Sequence, residues 1–263
     1  MIVHPPAFGM KLKSMDEAVI RSMPGIRDVF AIKVLEDDYI RQHFATCTFL
    51  EVVAIVGDST WEVMNAKKAL PVLWEPFETY TEERVPYGRS QFTLTIPAGL
   101  ESTESHKAQM NKMATQSANV IRRDGDPETA FKTASQVIER TYTGPFLAHN
   151  CMEPMNFFAD VKNNKATLSG PLQKAELTEH SLSDRLGIPL ENIDIEMTRL
   201  GGGYGRRSYA HWALEAALIS QRMCAPFKLI YTREDDMTGG IYRPAYQVTY
   251  KAALDNDNNL TAI

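Results

Sequence analysis

Four glycines close together give this sequence a stretch of backbone that could contact a ligand directly. They occupy positions 201, 202, 203 and 205 within residues 200–207 (LGGGYGRR). Because glycine has no Cβ, the chain can approach a ligand closely there and turn several N–H groups outward. Such N–H groups bind a phosphate or an oxo group, and Arg206 and Arg207 would add charged donors.

The neighbouring elements leave two interpretations of this segment open. A strand is predicted over residues 193–198 and a helix over residues 209–223, and the positive N-terminal end of that helix would favour an anion. The glycine spacing matches neither the dinucleotide-binding pattern nor the Walker lysine motif. The segment is therefore either a ligand-binding loop or a flexible strand-to-helix turn with solvated arginines.

Two further segments contain carboxylates that could line a site. Glu153 lies within residues 149–156 (HNCMEPMN), and a buried carboxylate needs hydrogen-bond partners. The favoured interpretation is a structural carboxylate that accepts backbone N–H groups, and the alternative is the wall of a site. Residues 232–237 (TREDDM) could hold a divalent cation, but Thr232 and Asp235 have the spacing of a helix cap, which we favour.

Several other chemistries gain no support from the sequence. The six histidines are scattered, without an H-E-x-x-H or G-x-S-x-G motif, so neither a zinc hydrolase nor a serine hydrolase is indicated. The three cysteines are fewer than the four thiolates of an ordinary 2Fe–2S cluster, so electrons would leave through another polypeptide. The net charge of −5 gives no basic footprint for nucleic acid.

The N-terminal part of the chain is predicted to be a small α/β domain over residues 1–78. Capping-box spacings at Ser14 and Ser59 each predict the start of a helix. The prolines and glycines of residues 76–100 are typical of a segment that breaks regular elements. With helices predicted within residues 101–122 and from Asp126, residues 79–135 are predicted to be a connector with helices.

The C-terminal part, residues 136–263, is predicted to contain mixed sheets, which makes the whole chain an α+β fold. A helix over residues 173–186 is predicted to end at Gly187. Residues 255–259 form a turn whose second strand is cut short, so the chain is expected to be a fragment. The predicted strands are residues 137–142, 157–161, 166–168, 193–198 and 248–254. No apolar run approaches the ~20 residues that span a bilayer.

Eight segments follow one another along the chain in a recognisable order: HPPAFG at 4–9, PGIRDV at 24–29, residues 61–70, FLAH at 146–149, MEPMN at 152–156, LGGGYGRR at 200–207, residues 231–237 and YRPA at 242–245. In these segments and their order the chain resembles the molybdopterin-binding large subunit of the xanthine dehydrogenase/aldehyde oxidase family, nearest the isoquinoline 1-oxidoreductase type. The resemblance implies a "hammerhead" α/β domain at residues 1–78, followed by the first part of the molybdopterin-binding domain.

The resemblance also implies a cofactor, a reaction and a partner. The cofactor is molybdopterin with molybdenum, often as the cytosine dinucleotide in bacteria. The reaction oxidises an aldehyde or an N-heteroaromatic small molecule with water-derived oxygen, and the electrons pass to an iron–sulfur subunit with 2Fe–2S clusters. In relatives a glutamine donates a hydrogen bond to the apical oxo ligand of molybdenum, and the resemblance assigns this role to Gln173. In relatives the glycine loop lies against the metal and its dithiolene. The resemblance therefore implies cofactor contacts for the corresponding residues here, Gly202, Gly203, Tyr204, Gly205 and Arg206.

The family's general-base glutamate lies far beyond the matched region, so no catalytic residue is assigned. The fragment is expected to lack the cofactor and activity when alone. Two alternatives stay open, a non-catalytic binding or subunit-docking module of the same fold, and a free-standing phosphate-binding protein that uses the glycine loop. The sequence assigns no compartment, because full-length relatives are cytoplasmic or exported to the periplasm.

Overall fold

A computed structural model describes residues 1–45, 47–209 and 211–263. Its strands are β1 (Ile2–Val3), β2 (Met10–Met15), β3 (Ile26–Lys33), β4 (Arg41–Gln42), β5 (Glu51–Gly57), β6 (Val72–Pro76), β7 (Tyr80–Val85), β8 (Phe92–Ile96), β9 (Gln136–Gly144), β10 (Asn156–Lys162), β11 (Lys165–Gly170), β12 (Ile193–Met197), β13 (Phe227–Ile230), β14 (Tyr246–Leu254) and β15 (Leu260–Ala262). Its helices are α1 (Ala18–Arg21), α2 (Thr60–Ala69), α3 (Thr103–Ala114), α4 (Pro127–Thr133), α5 (Ala175–Leu186), α6 (His211–Met223) and α7 (Arg233–Thr238), with 3-10 turns at Leu190–Asn192 and Arg206–Ser208. No helix among these residues is long and apolar enough to cross a membrane.

The chain divides into two compact units, each built from separate segments. Residues 1–100 and 148–242 form the first unit, and residues 101–147 and 243–263 form the second. In the second unit β9 pairs antiparallel with β14 along its whole length, and β15 adds a third strand. The predicted domains were consecutive segments with boundaries after residues 78 and 135, whereas each compact unit combines two separate segments. The predicted division stays a prediction.

Strand β5 connects two hydrophobic cores of the first unit. All its residues from Val52 to Val56 are buried, and side chains alternate between the faces of a strand. Val53 and Ile55 therefore join a smaller core under α2. Val52, Ala54 and Val56 join the larger core.

The larger core contains residues from both segments of the first unit. Phe30 and Ile32 belong to the same buried cluster as Trp212 and Leu214 of α6. The Arg222 guanidinium also lies 4.1 Å from the centroid of the Phe30 ring. Because a hydrophobic core is close-packed, the two segments stabilise each other.

The glycine loop follows one edge of a four-stranded sheet with the order β12-β11-β10-β13. Strands β10 and β11 alternate buried and exposed residues, which is typical of a sheet with one face on the core. Asn163 and Asn164 connect them with φ values of 52° and 57°, as a two-residue hairpin turn requires. Helix α5 crosses from β11 to β12, and these two strands pair in parallel.

The α+β class is confirmed, and so are several helix ends. Ser59, Asp126 and Thr232 all accept a backbone N–H as N-caps. The cap at Ser14 was wrong, because Ser14 belongs to β2 and pairs with β6, and α1 has no side-chain cap.

The interpretation of residues 76–100 as a stretch without regular elements was also wrong. They contain β7 and β8, which pair antiparallel. The proline and glycine signals at Pro86 and Gly88 mark the turn between these two strands.

Candidate functional site

The backbone of the glycine loop turns sharply because three of its residues have positive φ. The values are 101° at Gly202, 52° at Tyr204 and 95° at Gly205. Only glycine adopts such a conformation without strain, so Tyr204, whose side chain is 72% exposed, is held there by its surroundings. The loop is a defined conformation, which argues against the flexible-turn interpretation.

Three consecutive amides of this loop have no acceptor among the described residues. The amide of Gly201 donates to Glu153 Oε2 at 2.8 Å, and that of Gly205 donates to Gln173 Oε1 at 3.1 Å. The amides between them, those of Gly202, Gly203 and Tyr204, make no such bond within the part of the chain that the structure describes. Consecutive free N–H groups form a small concave donor surface that suits an acceptor oxygen.

Gln173 lies directly against the loop, and the resemblance implied this closeness by assigning both to one cofactor. Its Oε1 accepts from the amides of Gly205 and Arg207, at 3.1 and 3.2 Å. The backbone amide of Gln173 donates to the Arg207 carbonyl at 2.9 Å. The two bonds that Oε1 accepts fix the orientation of the side-chain amide, because only its oxygen can accept them. The Nε2 donor, which has no acceptor among the described residues, is left available beside the loop.

Glu153 is a structural carboxylate, so the favoured interpretation of this residue is confirmed. Its Oε2 accepts from the Gly201 amide and from the Arg207 guanidinium, at 2.8 and 3.0 Å. Its Oε1 accepts from Asn156 Nδ2 at 2.9 Å. These three bonds make Glu153 a support of the loop.

Arg207 is buried, and it does not supply an outward donor. Its guanidinium donates to the carbonyls of Gly202 at 2.7 Å, Glu153 at 2.8 Å and Pro171 at 3.4 Å, besides the Glu153 carboxylate. Burial lowers the pKa of Arg207 from its ordinary value, although the Glu153 charge opposes this shift. The planar fork of arginine matches such a set of acceptors. The expectation of a solvated or ligand-binding Arg207 was therefore wrong.

The side chain of Arg206 also points into the first unit. Its Nη1 lies 3.2 Å from His211 Nε2, and its Nε lies 3.9 Å from Asp236. The guanidinium packs so closely on Gly240 that a Cβ there would come within 2.2 Å of it. Only 1% of Arg206 is exposed. The predicted charged donor at this position is therefore internal, and only the backbone of Arg206 belongs to the loop.

Helix α7 holds the segment beside the loop, a role that sequence reasoning missed. The predicted cap is present as a full capping box between Thr232 and Asp235. Arg233 then donates to the carbonyls of Cys151 and Met152, both at 2.7 Å. Among the described residues, no group of three or more His, Cys, Asp or Glu side chains could hold a metal ion. The TREDDM motif therefore acts by capping and by clamping a neighbouring segment.

A buried charged cluster below α7 was also missed. The His4 ring lies 3.5 Å from Glu215 and 3.9 Å from Asp235. Tyr231 donates to Glu215 at 2.5 Å, and Lys67 pairs with Asp235. Glu215, a charged residue inside the apolar stripe of α6, could have indicated this cluster from the sequence. A buried carboxylate needs partners.

Neighbouring charges set the protonation of this cluster. Burial lowers the pKa of His4, but the carboxylates of Asp235 and Glu215 outweigh it and raise that pKa above its ordinary value. Burial likewise raises the pKa of Asp235, but His4 and Lys67 outweigh it and hold the pKa well below its usual range. His4 and Asp235 are thus charged together, as a buried ion pair requires.

We predict that a Cβ at Gly203 displaces the Gln173 amide. A Cβ there would lie 2.6 Å from Gln173 Oε1, so Gly203→Ala should break the two bonds that this oxygen accepts and cost about 1 kcal/mol. The measurement is a double-mutant cycle of unfolding free energies with Gln173→Ala. Gly203→Ala should cost less in the Gln173→Ala background, and equal costs in both backgrounds would contradict the contact.

Comparison with known proteins gives one family match. The Molybdopterin cofactor-binding domain family matches residues 108–263. This span includes Gln173, the glycine loop and α7.

Curated relatives match over most of this chain. A membrane-bound aldehyde dehydrogenase (pyrroloquinoline-quinone) of Gluconacetobacter polyoxogenes is 26% identical over 98% of this chain and 30% of its own length. The aldehyde oxidoreductase molybdenum-binding subunit of Escherichia coli K12 is 29% identical over 80% of this chain and 28% of its own length. The isoquinoline 1-oxidoreductase subunit beta of Brevundimonas diminuta is 23% identical over 100% of this chain and 30% of its own length. The chain thus spans about 30% of the length of these relatives.

A solved structure has the same fold. The aldehyde oxidoreductase of Desulfovibrio gigas matches 99% of this chain and 29% of its own with a TM-score of 0.68, at 14% sequence identity. At this identity the likeness describes the fold of the chain.

Proposed function

The chain belongs to the family of molybdopterin cofactor-binding domains, and on that premise we propose that it supplies one wall of the cofactor site in the large subunit of a molybdenum hydroxylase. The observation that carries this proposal is the row of free donors at the glycine loop. The loop lies inside the residues that match the family.

The donors of the loop fit the chemistry of this cofactor. A molybdenum-bound oxo group and the phosphate of a pterin both present acceptor oxygens, for which N–H groups are the matching partners. The residues that would hold the group are Gln173, through Nε2, and Gly202, Gly203 and Tyr204, through their amides. The cytosine dinucleotide form belongs to the same proposal. When bound, the cofactor would supply the two-electron oxidation of the substrate.

The proposed reaction oxidises an aldehyde or an N-heteroaromatic compound with oxygen derived from water. The names of the relatives, which include aldehyde oxidoreductases and an isoquinoline 1-oxidoreductase, support these two substrate classes. The proposed partner is an iron–sulfur subunit with 2Fe–2S clusters, since three cysteines are fewer than one such cluster needs. The proposal includes no compartment.

In this proposal the residues of the wall bind and orient the cofactor, and none of them acts as a general base. Glu153 is the carboxylate beside the loop, and its oxygens already accept from Gly201, Arg207 and Asn156. Those three bonds give Glu153 the role of a support of the loop in this proposal. The base therefore belongs to another part of the proposed subunit, and this chain alone should not turn over.

The test compares a longer protein that contains these residues with the 263-residue chain. The longer protein, produced with its iron–sulfur partner, should contain molybdenum and reduce a dye with aldehydes or N-heterocycles. In that protein Gln173→Ala should lower kcat by about 10²-fold, the effect of removing one well-placed donor. The matched control is Gln116→Ala, because Gln116 is an exposed glutamine in the second unit.

Three outcomes of this test would count against the proposal or change it. A longer protein without molybdenum would contradict the cofactor assignment. Molybdenum without turnover would favour the alternative of a non-catalytic binding or docking module. Stoichiometric molybdenum and turnover in the 263-residue chain would show that a complete site is encoded within these residues, and that no further wall is needed.

A further inference from the structure

A row of side chains crosses the three-stranded sheet β4-β7-β8 of the first unit. Arg41 of β4 lies opposite Arg84 of β7 in a parallel pair, and Arg84 lies opposite Phe92 of β8. Neighbouring strands are about 4.8 Å apart, so the two arginines leave the sheet side by side. Like charges directly opposite each other destabilise a sheet, which means that this arrangement needs a compensating negative charge.

The three side chains of this row line an open cavity of about 550 Å³. Arg89 and Tyr87, from the turn between β7 and β8, also line it. Pockets for small molecules have volumes of roughly 300–1,000 Å³, so the cavity could admit a small organic ligand. The described residues that line it include three arginines and no aspartate or glutamate.

The protein itself supplies only part of the compensating charge. Glu82 contacts Arg84, and its Oε2 lies 3.6 Å from Arg41, so one carboxylate serves two guanidinium groups. The other donors of Arg41 are directed to the carbonyls of Ala45 and Cys47, at 3.2 and 2.9 Å. The cavity is therefore positive on the side of β7.

Arg89 adds a third charge, whose side chain has no partner among the described residues. Within residues 1–45, 47–209 and 211–263, no acceptor or carboxylate lies within bonding distance of its side chain, and its amide alone is used, in a bond to the Pro86 carbonyl at 3.1 Å. The residue is exposed on the turn. An arginine fork that faces a cavity and has no internal acceptor is suited to a carboxylate or a phosphate from a ligand.

Aromatic rings stand beside these arginines. Tyr87 is 82% exposed and Phe92 is 44% exposed. The Tyr87 ring packs edge-on against His43, with 5.2 Å between the ring centroids. Exposed rings offer flat surfaces for a planar apolar group, a contact worth more than its buried area alone.

We propose that this cavity binds a small organic anion that carries a carboxylate or a phosphate on a planar apolar body. Arg84 and Arg89 hold the acid group, and Tyr87 and Phe92 contact the planar body. The site is formed within residues 41–92 and the neighbouring Ile241, and it uses none of the residues assigned to the cofactor wall. Its test is therefore independent of the proposed function.

The test measures binding to the 263-residue chain by calorimetry and by amide chemical shifts. Benzoate is the planar carboxylate, benzamide is its neutral counterpart, and inorganic phosphate is the compact anion. We expect benzoate to bind and to shift amides of β7 and β8, and benzamide to bind at least tenfold more weakly. Arg89→Gln should weaken benzoate binding about tenfold, which corresponds to the loss of one charge-assisted contact.

The matched control is Arg122→Gln, which removes an exposed arginine of the second unit and should leave benzoate binding unchanged. Arg89→Gln should keep the thermal midpoint of the parent chain, since its side chain makes no internal bond, and Tyr87→Ala provides a second test of the same site. Tighter binding of phosphate than of benzoate, with the same loss in Arg89→Gln, would identify a phosphate-bearing ligand. Equal binding of benzoate and benzamide, no binding of either anion, or equal losses in the Arg89 and Arg122 variants would overturn the proposal.

Discussion

Replacement of Arg207 by glutamine is expected to lower the free energy of unfolding by about 3 kcal/mol. The guanidinium is fully buried and donates to the carbonyls of Gly202, Glu153 and Pro171. Glutamine is too short to reach all three, so buried acceptors would lose their donor. The Glu153 side chain is 34% exposed, so water replaces part of that ion pair, and we attribute most of the loss to the carbonyls.

Denaturant unfolding measures this loss, with two matched variants. Arg199→Gln changes an exposed arginine just before the glycine loop and should leave the unfolding midpoint nearly unchanged. Arg207→Lys retains the charge but lacks the planar fork, so it should recover only part of the stability. If Arg207→Gln were as stable as Arg199→Gln, the bonds of Arg207 would not hold the loop.

The part of the site that sequence predicted is the part that depends on local structure. The glycine loop and its turn follow from residues close together in the chain, because positive φ values favour glycine. The pairing of Gln173 with that loop came from the resemblance, and the structure shows the contact. Its role at a cofactor stays a prediction.

The directions of the two arginines were mispredicted because they depend on residues distant in sequence. Two of the three residues that accept from Arg207 lie at positions 153 and 171, and Arg206 packs on Gly240. An arginine next to a glycine loop looks solvated until those partners are known. Glu153 was predicted correctly because a general argument, that buried carboxylates are paired, was sufficient.

In the fold, too, local features were predicted and contacts between distant residues were missed. The N-caps at Ser59, Asp126 and Thr232 each involve a few neighbouring residues and were predicted. Ser14 has the same local pattern but belongs to a strand, because pairing of β2 with β6 prevails over the local preference. Likewise, the buried contacts of His4 join positions more than two hundred residues apart, which no local pattern indicates.

Replacement of Asp235 by asparagine is expected to cost about 3 kcal/mol near pH 5.5, because it leaves the half-buried Lys67 without its carboxylate and the buried His4 with Glu215 alone. Asparagine keeps the shape of the side chain and can still accept from the Thr232 amide, so the helix cap is largely retained. The measurement is the free energy of unfolding of both proteins across pH. Glu234→Gln is the matched control, since Glu234 is the exposed neighbour on the same helix, and it should change the unfolding midpoint little.

The pH dependence of this difference follows from two pKa shifts of opposite sign. The pKa of Asp235 is lowered in the folded chain, so its contribution is present above the unfolded pKa of about 3.9 and is lost as pH falls below it. The pKa of His4 is raised, so its contribution is complete below the unfolded pKa of about 6.5 and is lost as pH rises through the folded value. The difference between parent and variant should therefore be largest between about pH 4 and 6.5 and shrink on both sides. Burial, and after it the nearby charges of Arg206 and His4, hold the pKa of His211 well below its ordinary value. A difference that stayed constant down to pH 2 would show that Asp235 does not act through its charge.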